Sequence, residues 1–264
     1  MQLEGRGAML TGAGRLGTVI AAELARAGAR VGVVDVNGDA AAKVANVARS
    51  NGAPRPTRAR AHVSQSAEVE SAVESLEREL GPLDILVNAH GMFPNRPRLE
   101  MDEDEWDGVF AVNTRGTMLT CRGLARRWVD RGQAGAIVNM PSGAVTSARA
   151  GGSHYTGSKA AVNMLTHVLA IELGPHRIRV NAIAPGLNLD DVLKEGDSHN
   201  SKHVEMMLAM TPLRRTGAPE DIAPAVVFLA SDASGWTTGA IFEITGGSDA
   251  GERTYRLAAT SADG

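Results

Sequence analysis

The segment that most restricts what this chain can fold into is Thr11-Gly12-Ala13-Gly14-Arg15-Leu16-Gly17. The apolar run Ala8-Met9-Leu10 leads into it, and a helical pattern from Leu16 to Gly28 follows. Gly12, Gly14 and Gly17 match G-x-G-x-x-G between a strand and a helix, the context that gives the spacing meaning. Glycine permits the tight turn and lets main chain approach a pyrophosphate at a helix N-terminus, where free N–H groups and the dipole favour anions. Gly12, Gly14, Arg15, Leu16 and Gly17 are therefore candidate dinucleotide contacts. Asp35 follows 23 residues after Gly12, at the end of a second apolar run, Val31 to Val34. A carboxylate there can accept hydrogen bonds from an adenosine ribose and repel a 2′-phosphate. At ~4 Å that repulsion amounts to ~1–4 kcal/mol, which favours NAD over NADP. Arg15 pulls the other way, since a guanidinium in the turn could bind the extra phosphate. NAD is the preferred reading and NADP the less favoured one.

The same rhythm continues along the chain. Further strand patterns lie at Leu83 to Val87, Ala136 to Asn139, Ile178 to Ile183 and Ala240 to Ile244, with a less apolar one over 57–63. Helical patterns alternate with them at Ala67 to Leu80, Ala160 to Leu173 and Pro219 to Ser231. Such alternation implies βαβ units, a parallel sheet of about seven strands and helices on both faces, a three-layer α/β doubly wound fold. Aromatic residues make up only 3% of the 264, so the core must rest on Ala, Val, Leu and Ile. We expect a single domain over 1–264. One stretch breaks the rhythm: Leu187 to Met210 combines charged residues with Met206, Met207 and Met210. It reads as a substrate lid over 187–211 or, alternatively, as a solvated surface segment. Residues 252–264 read as a polar tail.

Net charge is −3, which gives no field for nucleic acid or an anionic membrane. No run approaches the ~20 apolar residues of a membrane span. The single Cys121 excludes an internal disulfide and suits a reducing compartment. The opening Met1 to Arg6 has no apolar stretch of signal length behind it, so a cytoplasmic protein is expected.

The chemistry points to Tyr155 and Lys159, four residues apart, with Ser142 thirteen residues before Tyr155. On a helix, residues four apart share a face, so an ammonium can sit near a phenol and favour its ionised form. Ser142 could hydrogen-bond a substrate oxygen. With a dinucleotide turn in the same chain, these residues point to nicotinamide-dependent redox chemistry on an alcohol or ketone. His199 and His203 are four apart but lack a third ligand, so no metal site is expected.

From about Gly5 to Gly247 the chain resembles the short-chain dehydrogenase/reductase family. The resemblance rests on Thr11 to Gly17, Asn88-Ala89-His90-Gly91, Asn113, the trio Ser142, Tyr155 and Lys159, Pro185-Gly186, and Gly246-Gly247. It implies a Rossmann fold and catalysis by Asn113, Ser142, Tyr155 and Lys159. Asn113 would hold a water that links Lys159 to solvent. Cofactor contacts would add Asp35, His62, Val63, Asn88, Ala89, Gly91, Tyr155, Lys159, Pro185 and Gly186 to the glycine turn. It also implies a homotetramer or homodimer, with helices near 113–128 and 160–173 between subunits. Departures from the family pattern are a turn one residue short, His62 in place of Asp, Ala89 and His90 in place of Asn and a small residue, Asp190 in place of Thr, and Thr245 in place of Asp. Those departures support a second reading, a nucleotide-binding sensor or scaffold without turnover. His90 reads as an adapted contact or as a packed imidazole. Arg96, Arg98 and Arg149 read as receptors for an acidic group or as surface charges.

Overall fold

Seven parallel strands form one sheet in the order β3-β2-β1-β4-β5-β6-β7. They are β1 Gly7–Thr11, β2 Arg30–Asp35, β3 Thr57–Arg60, β4 Ile85–Asn88, β5 Gly135–Asn139, β6 Ile178–Pro185 and β7 Ile241–Ile244. The computed structural model describes residues 2–147, 150–187, 205 and 208–250. Most of the lid expected over 187–211, with Asp190, His199 and His203, lies outside those residues, as do Arg149 and the tail over 252–264.

Helices cover both faces, giving the three-layer αβα arrangement of a Rossmann fold. On one side α1 (Arg15–Arg26) packs between α2 (Gly38–Ser50) and α7 (Pro219–Ala230). Ile20, Leu24, Val44, Ile222 and Val226 from these helices bury against Leu10, Val33 and Val87. On the other side lie α3 (Ser66–Leu80), α5 (Thr117–Asp130) and α6 (Ser153–Leu173). Val69, Ala72, Val73, Leu76 and Leu80 of α3 are all buried, at the spacing of one helical face. With aromatics scarce, Trp128 is the largest fully buried side chain, and its Nε1 donates to the Leu83 carbonyl (2.7 Å). At the sheet edge, β3 exposes Arg58 and Arg60, charges that discourage pairing with another strand.

α4 (Glu103–Phe110) runs into α5 through Ala111–Gly116, wound as a π-helix. This wider turn presents Asn113, which is fully buried.

The strand order reverses between β1 and β4, which opens a crevice at their carboxyl ends, where doubly wound sheets bind ligands. A buried polar chain fixes those ends. Asn88 Nδ2 donates to Asn139 Oδ1 (2.9 Å), and Asn139 Nδ2 donates to Thr166 Oγ1 (3.0 Å). Thr120 Oγ1 donates to Asn88 Oδ1 (2.7 Å), and Thr166 Oγ1 donates to the Val162 carbonyl (2.9 Å). The chain thus ties β4 and β5 to α5 and α6. Asn139→Ala would remove both its donor and its acceptor from a buried site, a loss of about 2–3 kcal/mol. A urea melt should show this as a lower midpoint with an unchanged slope.

Candidate active site

The glycine turn leaves β1 at Gly12, which has φ 95°. A Cβ there would lie 2.7 Å from the His90 nitrogen and 2.8 Å from the Ala89 carbonyl oxygen, so glycine is required. Gly14 is the N-cap of α1; it provides no side-chain acceptor, no acid occupies the first turn, and open space lies beside it. Arg15, Leu16 and Gly17 begin the helix. A helix start without a side-chain cap, facing open space, suits a diphosphate.

Asp35 closes the turn from the β2 side. Its Oδ2 accepts from Ala13 N (2.7 Å) and its Oδ1 from Asn37 N (2.8 Å). Asn37, not Asp35, caps α2, accepting from Asp39 N and Ala40 N. A carboxylate has about four acceptor sites, so ribose hydroxyls can still be bound. Beside it an open groove of about 490 Å³ is lined by Val36, Asn37, Gly38, Asp39 and Arg60. His62 Nδ1 pairs with Ser64 Oγ (2.8 Å), and Val63 is buried with Cγ2 against Gly116. Ala89 N donates to the Thr11 carbonyl (2.9 Å). Asn88 is 2% exposed, and its side chain belongs to the buried polar chain, so its main chain is the part that can meet a ligand. On the far rim, Gly186 N donates to the Ile244 carbonyl (2.9 Å), and the Pro185 oxygen packs against Gly143.

Lys159, Asn113, Tyr155 and Ser142 lie across the crevice. Lys159 is 6% exposed, and its Nζ donates to the Met140 carbonyl (2.7 Å) at the end of β5. Burial pulls its pKa from 10.5 down to about 8. A Cβ on Gly91 would sit 3.3 Å from both Lys159 Nζ and Asn113 Oδ1, so these groups converge on that glycine. Asn113 Oδ1 accepts from Met92 N (2.7 Å), while its Nδ2 donates to the Met92 carbonyl (2.8 Å) and to Ser158 Oγ (2.9 Å). The amide is occupied by protein groups, and the main-chain carbonyl of Asn113 accepts from Thr117 Oγ1 (2.8 Å). Tyr155 stands in the first turn of α6, one helical turn before Lys159, and is partly buried. Ser142 precedes a 3₁₀ turn over Gly143–Val145 that packs on α6. Its Oγ accepts from Ala144 N (3.1 Å), which keeps its hydrogen for donation.

No local sequence signal marks Ser158, Met140 and Glu105 as parts of this arrangement. The structure commits Arg96 and Arg98 to α4 rather than to a free anion site. Arg96 pairs with Glu105, which also meets His154 Nε2 (3.3 Å), and Arg98 lies over the Trp106 ring (5.4 Å).

The crevice thus has a helix start without a side-chain cap on one wall and a buried ammonium on the other. The chain belongs to the short-chain dehydrogenase/reductase family. A family model described as enoyl-(acyl carrier protein) reductase matches residues 12–249. The chain is 36% identical over 248 residues to a D-threitol dehydrogenase of Mycolicibacterium smegmatis, covering 93% of this chain and 94% of that one. A putative short-chain alcohol dehydrogenase from Sinorhizobium meliloti superposes with a TM-score of 0.89 at 34% identity, covering 95% of this chain and 99% of that one. A gluconate 5-dehydrogenase from Burkholderia cenocepacia, in complex with NADP and tartrate, superposes at 0.86 with 31% identity over 95% of this chain and 98% of that one.

The buried ammonium has a measurable stability signature. The unfolded chain keeps the Lys159 proton up to pH about 10.5, the folded chain only to about 8. Between those values the unfolded state binds more protons, so this group makes stability rise with pH across that window. The cofactor-free protein should gain on the order of 2–3 kcal/mol relative to Lys159→Met between pH 8 and 10.5. Paired denaturant melts across that range check it.

Proposed function

We propose that the protein transfers a hydride reversibly between NAD(H) and a secondary alcohol or ketone. The observation that carries this reading is the convergence of Lys159 and Asn113 on Gly91, one helical turn from Tyr155. The nicotinamide, when bound, supplies or accepts the hydride. Tyr155 gives a proton to the carbonyl oxygen in reduction and takes it back in oxidation. The Lys159 ammonium stabilises the phenolate that forms and holds the nicotinamide ribose. Ser142 donates to the substrate oxygen and steadies its developing charge. Asn113 holds the π-turn against Met92 and offers its main-chain carbonyl to a water that leads from Lys159 to solvent.

Asp35 supports NAD as the cofactor, because its carboxylate lies at the ribose end of the turn. The gluconate 5-dehydrogenase relative holds NADP, so the preference needs a direct measurement. NADH should bind at least about tenfold more tightly than NADPH in a fluorescence titration, the scale of repulsion set by one nearby charge. The names of the D-threitol and gluconate relatives put polyols and sugar acids first in a substrate panel.

We also propose a homo-oligomer. Met164, Val168 and Ile171 leave an apolar stripe exposed on α6, with Ile171 77% exposed. A second copy packed there would bury it.

Tyr155→Phe should lower kcat by ~10²–10⁴ while NADH affinity stays near wild type. If wild-type protein binds NADH but turns over no alcohol or ketone, and Tyr155→Phe binds identically, a sensor describes it better.

A further inference from the structure

His90 has no part in the mechanism above, yet its imidazole stands between the two halves of the site. Its Nδ1 lies 2.6 Å from Thr11 Oγ1, at the root of the glycine turn. Its other edge faces the π-turn, with Nε2 3.5 Å from Thr117 Oγ1. A Cβ on Gly116 would be 3.1 Å from Nε2, while the His90 main chain lies against the turn itself, its backbone nitrogen 2.7 Å from where a Gly12 Cβ would stand. The ring thus fills the space between β1 and the turn that presents Asn113.

The partners set its tautomer. Thr117 Oγ1 meets Nε2 as an acceptor, so Nε2 carries the hydrogen. Nδ1 then accepts from Thr11. Thr117 directs its own hydrogen to the Asn113 carbonyl (2.8 Å), which leaves its oxygen facing Nε2. Desolvation, helped by the nearby Lys159 ammonium, pushes the imidazole down to about 3, so it stays neutral and the link persists across ordinary pH.

We infer that His90 is a positioning residue: a neutral strut that joins the shortened glycine turn to the Asn113–Lys159 centre, so that cofactor grip and proton handling are set together. The inference rests on a dinucleotide occupying the proposed crevice. It explains how a turn one residue short is held in place. Asp35 grips it at Ala13 from one side, and His90 grips it at Thr11 from the other.

The test compares His90→Ala, His90→Asn and His90→Gln in the full-length protein. NADH affinity is read by fluorescence without substrate, and the pH profile of kcat by turnover. His90→Ala should weaken NADH about tenfold. It should also move the alkaline limb upward by half a pH unit or more, because water entering beside Lys159 solvates its ammonium. Asn keeps an acceptor near the Nδ1 position and should restore affinity to within about threefold of wild type. Gln reaches toward the π-turn without serving Thr11 and should not. A folded His90→Ala protein with NADH affinity within twofold of wild type and an unmoved pH limb would overturn the inference. If the alanine variant does not fold, equal NADH affinity in the Asn and Gln variants overturns it instead. Absence of turnover in the wild type would sink the dehydrogenase reading but leave the NADH titrations to decide this one.

Discussion

The hydrogen-bonded chain from Asn88 through Asn139 to Thr166 is the constraint on which the carboxyl edge of the sheet depends. Amides buried there must find partners, and few arrangements satisfy both donors and acceptors. The chain therefore fixes β4 and β5 relative to α5 and α6 more narrowly than apolar packing alone. α6 is docked to β5 twice on the same side: Thr166 meets Asn139, and Lys159, two turns earlier, meets the Met140 carbonyl. Tyr155 lies one turn further toward the helix start. The placement of the phenol thus follows from hydrogen bonds made well away from it.

Much of this was legible from residue type and spacing. The glycine turn, Asp35 and the Tyr155–Lys159 pair are local patterns, and the structure puts them around one crevice. The apolar period placed a helix only over 160–173, whereas α6 begins at Ser153. Its first two turns carry Tyr155, Thr156, Gly157, Ser158 and Lys159, which leave no apolar stripe to detect. The third strand stops at Arg60 rather than at 63, because Glu68 takes the His62 N–H and turns the chain toward α3.

Other features had no sequence signature. An asparagine that binds a ligand and one that bonds its own interior are the same residue, so the inward direction of the Asn88 and Asn113 side chains emerges only in three dimensions. Arg96 and Arg98 resembled anion receptors because their partners, Glu105 and Trp106, lie on another element. The inventory near the crevice is a compromise. It buries the Lys159 ammonium, against the demands of folding, and holds it in one position through the Met140 carbonyl.

The π-turn has a broader consequence. One residue advances a regular helix by about 100°, so a single surplus residue rotates everything beyond it. Taking up that surplus in one wide turn lets α4 and α5 be phased independently along one continuous rod. The first segment stacks Trp106 on Phe110 and presses Phe110 toward Gly157, while the second turns Leu124 and Trp128 to the sheet. Evolution could thus retune how α4 packs on α6 without disturbing the face that supports the core.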